Sequence, residues 1–100
     1  MTPVDIERIG QALYPGVSYR GRPAWRAWLA DGLEDGGRPL NRRRVREWTS
    51  GAAAIPAGFA QLLELAEPLA DRLALATLPR GTRIRERMAE VIAQGGGHGR

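Results

Sequence analysis

Apolar side chains recur at spacings of three and four residues along most of the chain, the pattern of helices with one buried face. The first two such stretches cover residues 2–13 and 23–34, and proline stands at or near the start of each. YPG at 14–16 and EDGGRP at 34–39 end them, because glycine and proline interrupt helices. The inward positions are Ile6, Ile9 and Leu13, then Trp25, Trp28, Leu29 and Leu33.

Three more amphipathic helices are predicted by the same rule. The third covers residues 40–50, where Asn41 is the capping residue and Gly51 stands just past the end. The fourth begins at Pro56, and Pro68 predicts a break in it. The inward positions are Val45 and Trp48, then Phe59, Leu62, Leu63, Ala66, Leu69 and Leu73, and, in a fifth helix over 82–94, Ile84, Met88, Val91 and Ile92.

No stretch alternates apolar and polar residues over a useful length, so the pattern does not predict a sheet. TRIRE at 82–86 is the one alternative, a short strand in place of a helix start. We therefore predict an all-α fold, a compact bundle of about five helices without an internal repeat. GGGHGR at 95–100 is predicted to be a disordered tail.

The composition of the chain mainly excludes certain kinds of site and certain locations. At 100 residues the chain is near the lower limit for burying an adequate core unaided, so a partner subunit is expected to help. It has no cysteine, and its one histidine, His98, stands in the glycine-rich tail. We therefore expect no metal site, no cofactor and no histidine-based catalysis. No stretch is apolar enough to span a membrane, and the first residues lack a signal-peptide pattern, so the expected location is cytoplasmic.

Four arginines crowd the start of the third helix, at positions 42, 43, 44 and 46. They repel one another, and the N-terminal end of a helix already favours negative charge, so the arrangement costs stability in isolation. An anion would offset that cost, because guanidinium groups there suit phosphates and the O6/N7 edge of guanine. The alternative is a solvated charged face, since all 15 basic residues are arginine, a choice that partly reflects GC-rich coding.

The residues around this cluster follow the spacing of a known class of domain, Leu40-Asn41-x-x-x-Val45-x-x-Trp48-x-x-Gly51, followed by Ile55-Pro56 and the apolar Phe59, Leu62 and Leu63. This pattern resembles the helix-turn-helix of phage repressor and Cro-like DNA-binding domains. The resemblance implies a helix-turn-helix domain over residues 1–78, with 40–50 as its recognition helix. EDGGRP makes the turn an extended one, because the usual turn has about three or four residues.

The resemblance also implies roles for individual residues. The side chains nearest the base edges of the major groove would be Asn41, Arg42, Arg43 and Glu47. Those that contact the DNA backbone would be Arg22, Arg26, Arg38, Arg44 and Arg46. Glu47 has an alternative role as the local ion partner of Arg43 or Arg44 at helical spacing. The tryptophans lie on apolar stripes, so we expect them in the core.

The function implied is that of a sequence-specific double-stranded DNA-binding transcriptional regulator. Its simplest form is an autoregulatory homodimeric repressor of phage or mobile-element type that reads an inverted repeat. The segment 79–94 is the candidate dimerisation element, and its alternative role is to cap the core.

Two other functions stay open. A protein-interaction module, such as an antitoxin or a phage assembly adaptor, would use the arginines on an acidic partner, and RNA would also accept them. We do not predict an enzyme, because no paired carboxylates, no nucleophile with a base and no phosphate-binding glycine loop can be placed.

Overall fold

The computed structural model describes residues 1–96 of the chain, and His98 with most of the predicted tail lies outside this range. The α-helices are α1 (Pro3–Leu13), α2 (Trp25–Gly32), α3 (Arg42–Ser50), α4 (Ala57–Ala66), α5 (Ala70–Leu73) and α6 (Ile84–Gly96). Turns of 3-10 helix cover Glu67–Leu69 and Leu75–Thr77. The strands are β1 (Ser18–Tyr19), β2 (Arg22–Pro23), β3 (Glu34–Asp35) and β4 (Arg38–Pro39).

The prediction of a compact fold of about five helices is confirmed, since α1, α2, α3, α4 and α6 each span two turns or more. The all-α prediction is wrong in one respect, because two short antiparallel hairpins precede α2 and α3. Pro23 therefore does not open a helix: it pairs with Ser18 in β2, and α2 begins at Trp25. The alternative strand at 82–86 is also wrong, because α6 begins there at Ile84.

Each hairpin turns through two residues of positive φ, the mark of a type I′ turn. The first hairpin, residues 18–23, turns at Arg20 (φ 52°) and Gly21 (φ 75°). The second hairpin, residues 34–39, turns at Gly36 (φ 64°) and Gly37 (φ 82°). Glycine reaches this conformation without steric cost, so EDGGRP forms a hairpin rather than an open loop.

The two hairpins share one local geometry. Gly-Arg-Pro occurs at 21–23 and again at 37–39, each time followed by a helix. The Ala24 amide donates to the Val17 carbonyl at 3.0 Å, and the Leu40 amide donates to the Leu33 carbonyl at 3.1 Å. These equivalent bonds close both units in the same way.

Local signals set both ends of α3 and the break after α4 as predicted. The Asn41 side chain accepts a hydrogen bond from the Arg43 amide at 2.9 Å and caps α3, which ends at Gly51 in the left-handed conformation. Pro68 marks the expected break, where α4 gives way to a 3-10 turn. At the start of α1, the amide of Thr2 donates to Asp5 at 2.8 Å, and this bond lowers the pKa of that carboxyl.

A single core joins all six helices, and Trp25 and Trp48 lie in it. Trp28 is half-buried at the periphery of this core. Its ring packs edge-on against the ring of Tyr14, with 6.0 Å between the ring centres. The tryptophans therefore pack in or against the core, as predicted. No helix among the described residues is long and apolar enough to cross a membrane.

The apolar stripe of α6 closes this core. Ile84, Met88 and Val91 are buried in the same cluster as the residues of α1 to α5, and Ile92 is the member of the stripe left exposed, at 55%. Three of the four residues of the stripe thus cap the protomer's own core, the role that the sequence left as an alternative. The helix also continues through Gly96, past the predicted start of the tail at 95.

Gly10 on α1 packs against Trp25 on α2, because a Cβ at this position would overlap the indole ring. Gly10→Ala is expected to lower the free energy of unfolding by roughly 1–3 kcal/mol, the usual cost of overpacking a core. Gly58→Ala is the matched control, since a Cβ there meets nothing within 4 Å. Urea denaturation of both variants checks this, and equal stabilities would contradict the packing of α1 on α2.

Candidate nucleic-acid interface

One face of α3 anchors the helix to the core and the other is exposed. Val45 and Trp48 are buried, and α3 packs against α1 and α2. With 3.6 residues per turn, Arg43 and Ser50 lie on the opposite side of the helix, and Arg46 and Glu47 flank them. The side chains of Arg43, Arg46 and Ser50 are exposed. A row of polar groups therefore projects from α3 into solvent.

A cleft of 330 Å³ separates α3 from α2, and three predicted site residues line it: Arg26, Arg42 and Arg46. Its remaining lining is Pro23, Ala24 and Ala27, so no carboxylate faces these guanidinium groups across the cleft. Arg42 and Arg46 also form no ion pair within residues 1–96. Arg42 and Arg46 thus have no counter-charge in this part of the chain, and such guanidinium groups suit an anionic group such as a phosphodiester.

Arg26 is held in place by its neighbours. Its guanidinium lies 4.6 Å from the centre of the Trp25 ring, and its Nε donates to the Thr49 hydroxyl at 3.4 Å. Its Nη2 lies 3.6 Å from a carboxylate oxygen of Glu7, and both side chains are well exposed. Exposed ion pairs are weak, so the pair with Glu7 does not prevent Arg26 from donating to a ligand.

Arg44 lies on the other flank of α3, and its charge already has a partner. Its Nη1 is 2.9 Å from a carboxylate oxygen of Asp35. The same guanidinium is 5.7 Å from the centres of the Trp48 and Phe59 rings. Arg44 therefore ties the second hairpin and α4 to α3, which makes it a structural residue as well as a predicted backbone contact.

The second hairpin is braced from two sides. Asp35 pairs with Arg44, and Glu34 lies 3.5 Å from Nε of Arg83 in the segment before α6. Arg38, opposite Asp35 in the ladder, is exposed. The extended turn between α2 and α3 is thus a fixed part of the fold, and Arg38 is carried on it at the surface.

Arg22 lies on strand β2, not at the start of α2 as predicted. It lines a second cleft, of 590 Å³, together with Tyr19, Arg42 and Arg80. Sequence reasoning missed Tyr19 and Arg80. Arg80, which is ion-paired with Asp31, sits in a loop without periodic pattern, so no local signal marks it.

Glu47 is partly buried and makes no ion pair in the described part of the chain, so its alternative role as a local partner of Arg43 or Arg44 is not formed. The side-chain oxygen of Asn41 accepts the capping hydrogen bond of α3, and its side-chain NH2 group remains available as a donor. Both remain exposed enough to meet a ligand beside Arg43.

We call Arg22, Arg26, Arg42, Arg43 and Arg46 the arginine surface. Within residues 1–96 no group of three or more histidine, cysteine, aspartate or glutamate side chains could hold a metal ion. Compared with known proteins, the chain matches no family model, no curated protein and no solved structure.

Proposed function

We propose that the protein is a sequence-specific, double-stranded DNA-binding regulator. In this proposal α2, the second hairpin and α3 form a helix-turn-helix with an extended turn, and α3 is the recognition helix. The observation that carries it is the exposed row of α3, where Arg43 and Arg46 project from a helix fixed to the core by Val45 and Trp48 and have no carboxylate partner within residues 1–96.

The dimensions of α3 suit the DNA major groove. A helix with its side chains is about 10–12 Å wide, and the groove is about 12 Å wide. Arg43 would donate two hydrogen bonds to guanine, and Glu47 would accept one from the amino group of cytosine. Asn41, at the start of α3, would donate through its amide to a base edge, with Arg42 beside it.

The residues around the cleft between α2 and α3 would bind the DNA backbone. Arg26, Arg42 and Arg46 line this cleft, and phosphate contacts of this kind fix the register of a recognition helix. Arg42 would therefore contact either a base edge or the DNA backbone. Arg44 contributes less than its neighbours, because Asp35 already balances its charge.

We further propose that the regulator acts as a homodimeric repressor. A helix of nine residues reads few base pairs, so two half-sites are needed for useful specificity. Leu65 on α4 and Ile92 on α6 are 59% and 55% exposed, and these two helices pack together. Exposed apolar residues on these two neighbouring helices support a contact between protomers that would cover them.

Selection of binding sites from a pool of random duplexes tests the proposal. We expect enrichment of a palindromic sequence with guanine in each half-site, because two copies of α3 related by a two-fold axis would read the same bases. Binding to duplex without enrichment would show that the arginine surface is only an electrostatic patch. Absence of duplex binding would instead favour the protein-interaction module, whose acidic partner would occupy the same arginines.

A further inference from the structure

We infer that the first hairpin is a second DNA-binding element, which holds a backbone phosphate next to the base pairs read by α3. Its binding residues are Tyr19, Arg20 and Arg22. The inference rests on the proposed DNA-binding function. It adds Tyr19 and Arg20, which the helix-turn-helix pattern does not contain, to the backbone contact already expected of Arg22.

The two hairpins share one backbone geometry but use their charges differently. In the second hairpin, Glu34 and Asp35 pair with arginines of the fold. The first hairpin has two arginines and no acidic residue, and neither arginine forms an ion pair in the part of the chain that the structure describes. Its charge is therefore available to an anion outside the protomer.

Arg20 occupies a backbone conformation that favours glycine. Its φ is 52°, and the equivalent position of the second hairpin is Gly36. A side chain in the left-handed region costs stability that glycine would avoid. The guanidinium of Arg20 also lies 5.2 Å from the centre of the Tyr19 ring, which is 66% exposed. A charged side chain placed at this position against the local preference points to a role in binding.

The second cleft joins the first hairpin to the recognition helix. Tyr19 and Arg22 line it on one side, and Arg42, the first residue of α3, lines it on the other. Ser18 adds a hydroxyl, and no carboxylate is among the lining residues. Guanidinium and hydroxyl groups are the usual donors to DNA phosphates. If α3 enters the major groove, one DNA strand would border the groove at the N-terminal end of α3. The backbone of that DNA strand would pass over this cleft.

The test uses the full chain and titrates duplex binding by fluorescence anisotropy at three salt concentrations. Arg20→Gly and Arg22→Ala are each expected to weaken binding by the same factor on the selected duplex and on random duplex. Each should also reduce the slope of log affinity against log salt by about one per protomer, because a lost phosphate contact leaves its counterion in place. Arg20→Gly should melt at the same temperature as the parent chain or higher, since glycine adopts a positive φ without the steric cost of a side chain.

Arg8→Ala is the matched control, because Arg8 is exposed on α1, lines neither arginine-lined cleft and has its ion partners, Asp5 and Glu67, within the fold. If both hairpin variants bind with the same affinity and salt slope as the Arg8 variant while Arg43→Ala loses binding, the inference is overturned and the proposed function stands. If the parent chain binds no duplex, or prefers single-stranded RNA of equal length, both are overturned.

Discussion

Trp48→Ala is expected to lower the free energy of unfolding by roughly 3–5 kcal/mol, the usual loss when a buried tryptophan is truncated to alanine. The side chain is 2% exposed, and its ring lies 5.5 Å from that of Phe59 on α4. Because a domain of this kind is stable by only about 5–15 kcal/mol, the variant should be largely or partly unfolded at temperatures at which the parent chain is still folded. Thermal and urea melts measure the effect.

Trp48→Phe is the control, since it keeps an aromatic ring under α3 and should lose much less stability. A second comparison is with Arg43→Ala, which leaves the core intact and should melt like the parent chain. If Trp48→Ala melted like the parent chain but failed to bind DNA, Trp48 would face the ligand. The orientation of α3, and with it the assignment of Arg43 to the groove, would then be wrong.

Arg43→Ala and Arg46→Ala are expected to separate specificity from affinity within one helix. Arg43→Ala should weaken binding to the selected duplex by roughly 1–3 kcal/mol and binding to random duplex much less, because two hydrogen bonds to guanine carry sequence information. Arg46→Ala should weaken both alike and reduce the salt slope by about one per protomer, since Arg46 lines the cleft assigned to phosphate.

Titrations of both variants on both duplexes at three salt concentrations measure this difference. Arg8→Ala again serves as the control for loss of one surface charge, and it should change neither the affinity nor the slope. Identical behaviour of the Arg43 and Arg46 variants on the two duplexes would contradict base reading. The arginine surface would then be an electrostatic patch without sequence preference.

Part of the candidate site follows from the sequence alone. Asn41 and Gly51 bound α3 through local hydrogen bonds and backbone conformation, which depend on near neighbours in the chain. The spacing of Val45 and Trp48 identifies the inner face of this helix, so the outward direction of Arg43 could be expected. The two hairpins were missed because each strand has two residues, too short for a period to be recognised. Gly36-Gly37 was the available signal, since such a pair favours a type I′ turn.

By itself the sequence determined where the long helices lie, how α1 and α3 begin, and that arginines crowd the start of α3. These features depend on residues close together along the chain, where spacing and capping chemistry act directly. Tertiary structure alone decided which arginines are free and which are used by the fold. Arg44 pairs with Asp35, while Arg42 and Arg46 line a cleft with Arg26 and form no ion pair within residues 1–96. It also placed Ile84, Met88 and Val91 in the protomer's own core, because an apolar stripe does not specify which surface will cover it.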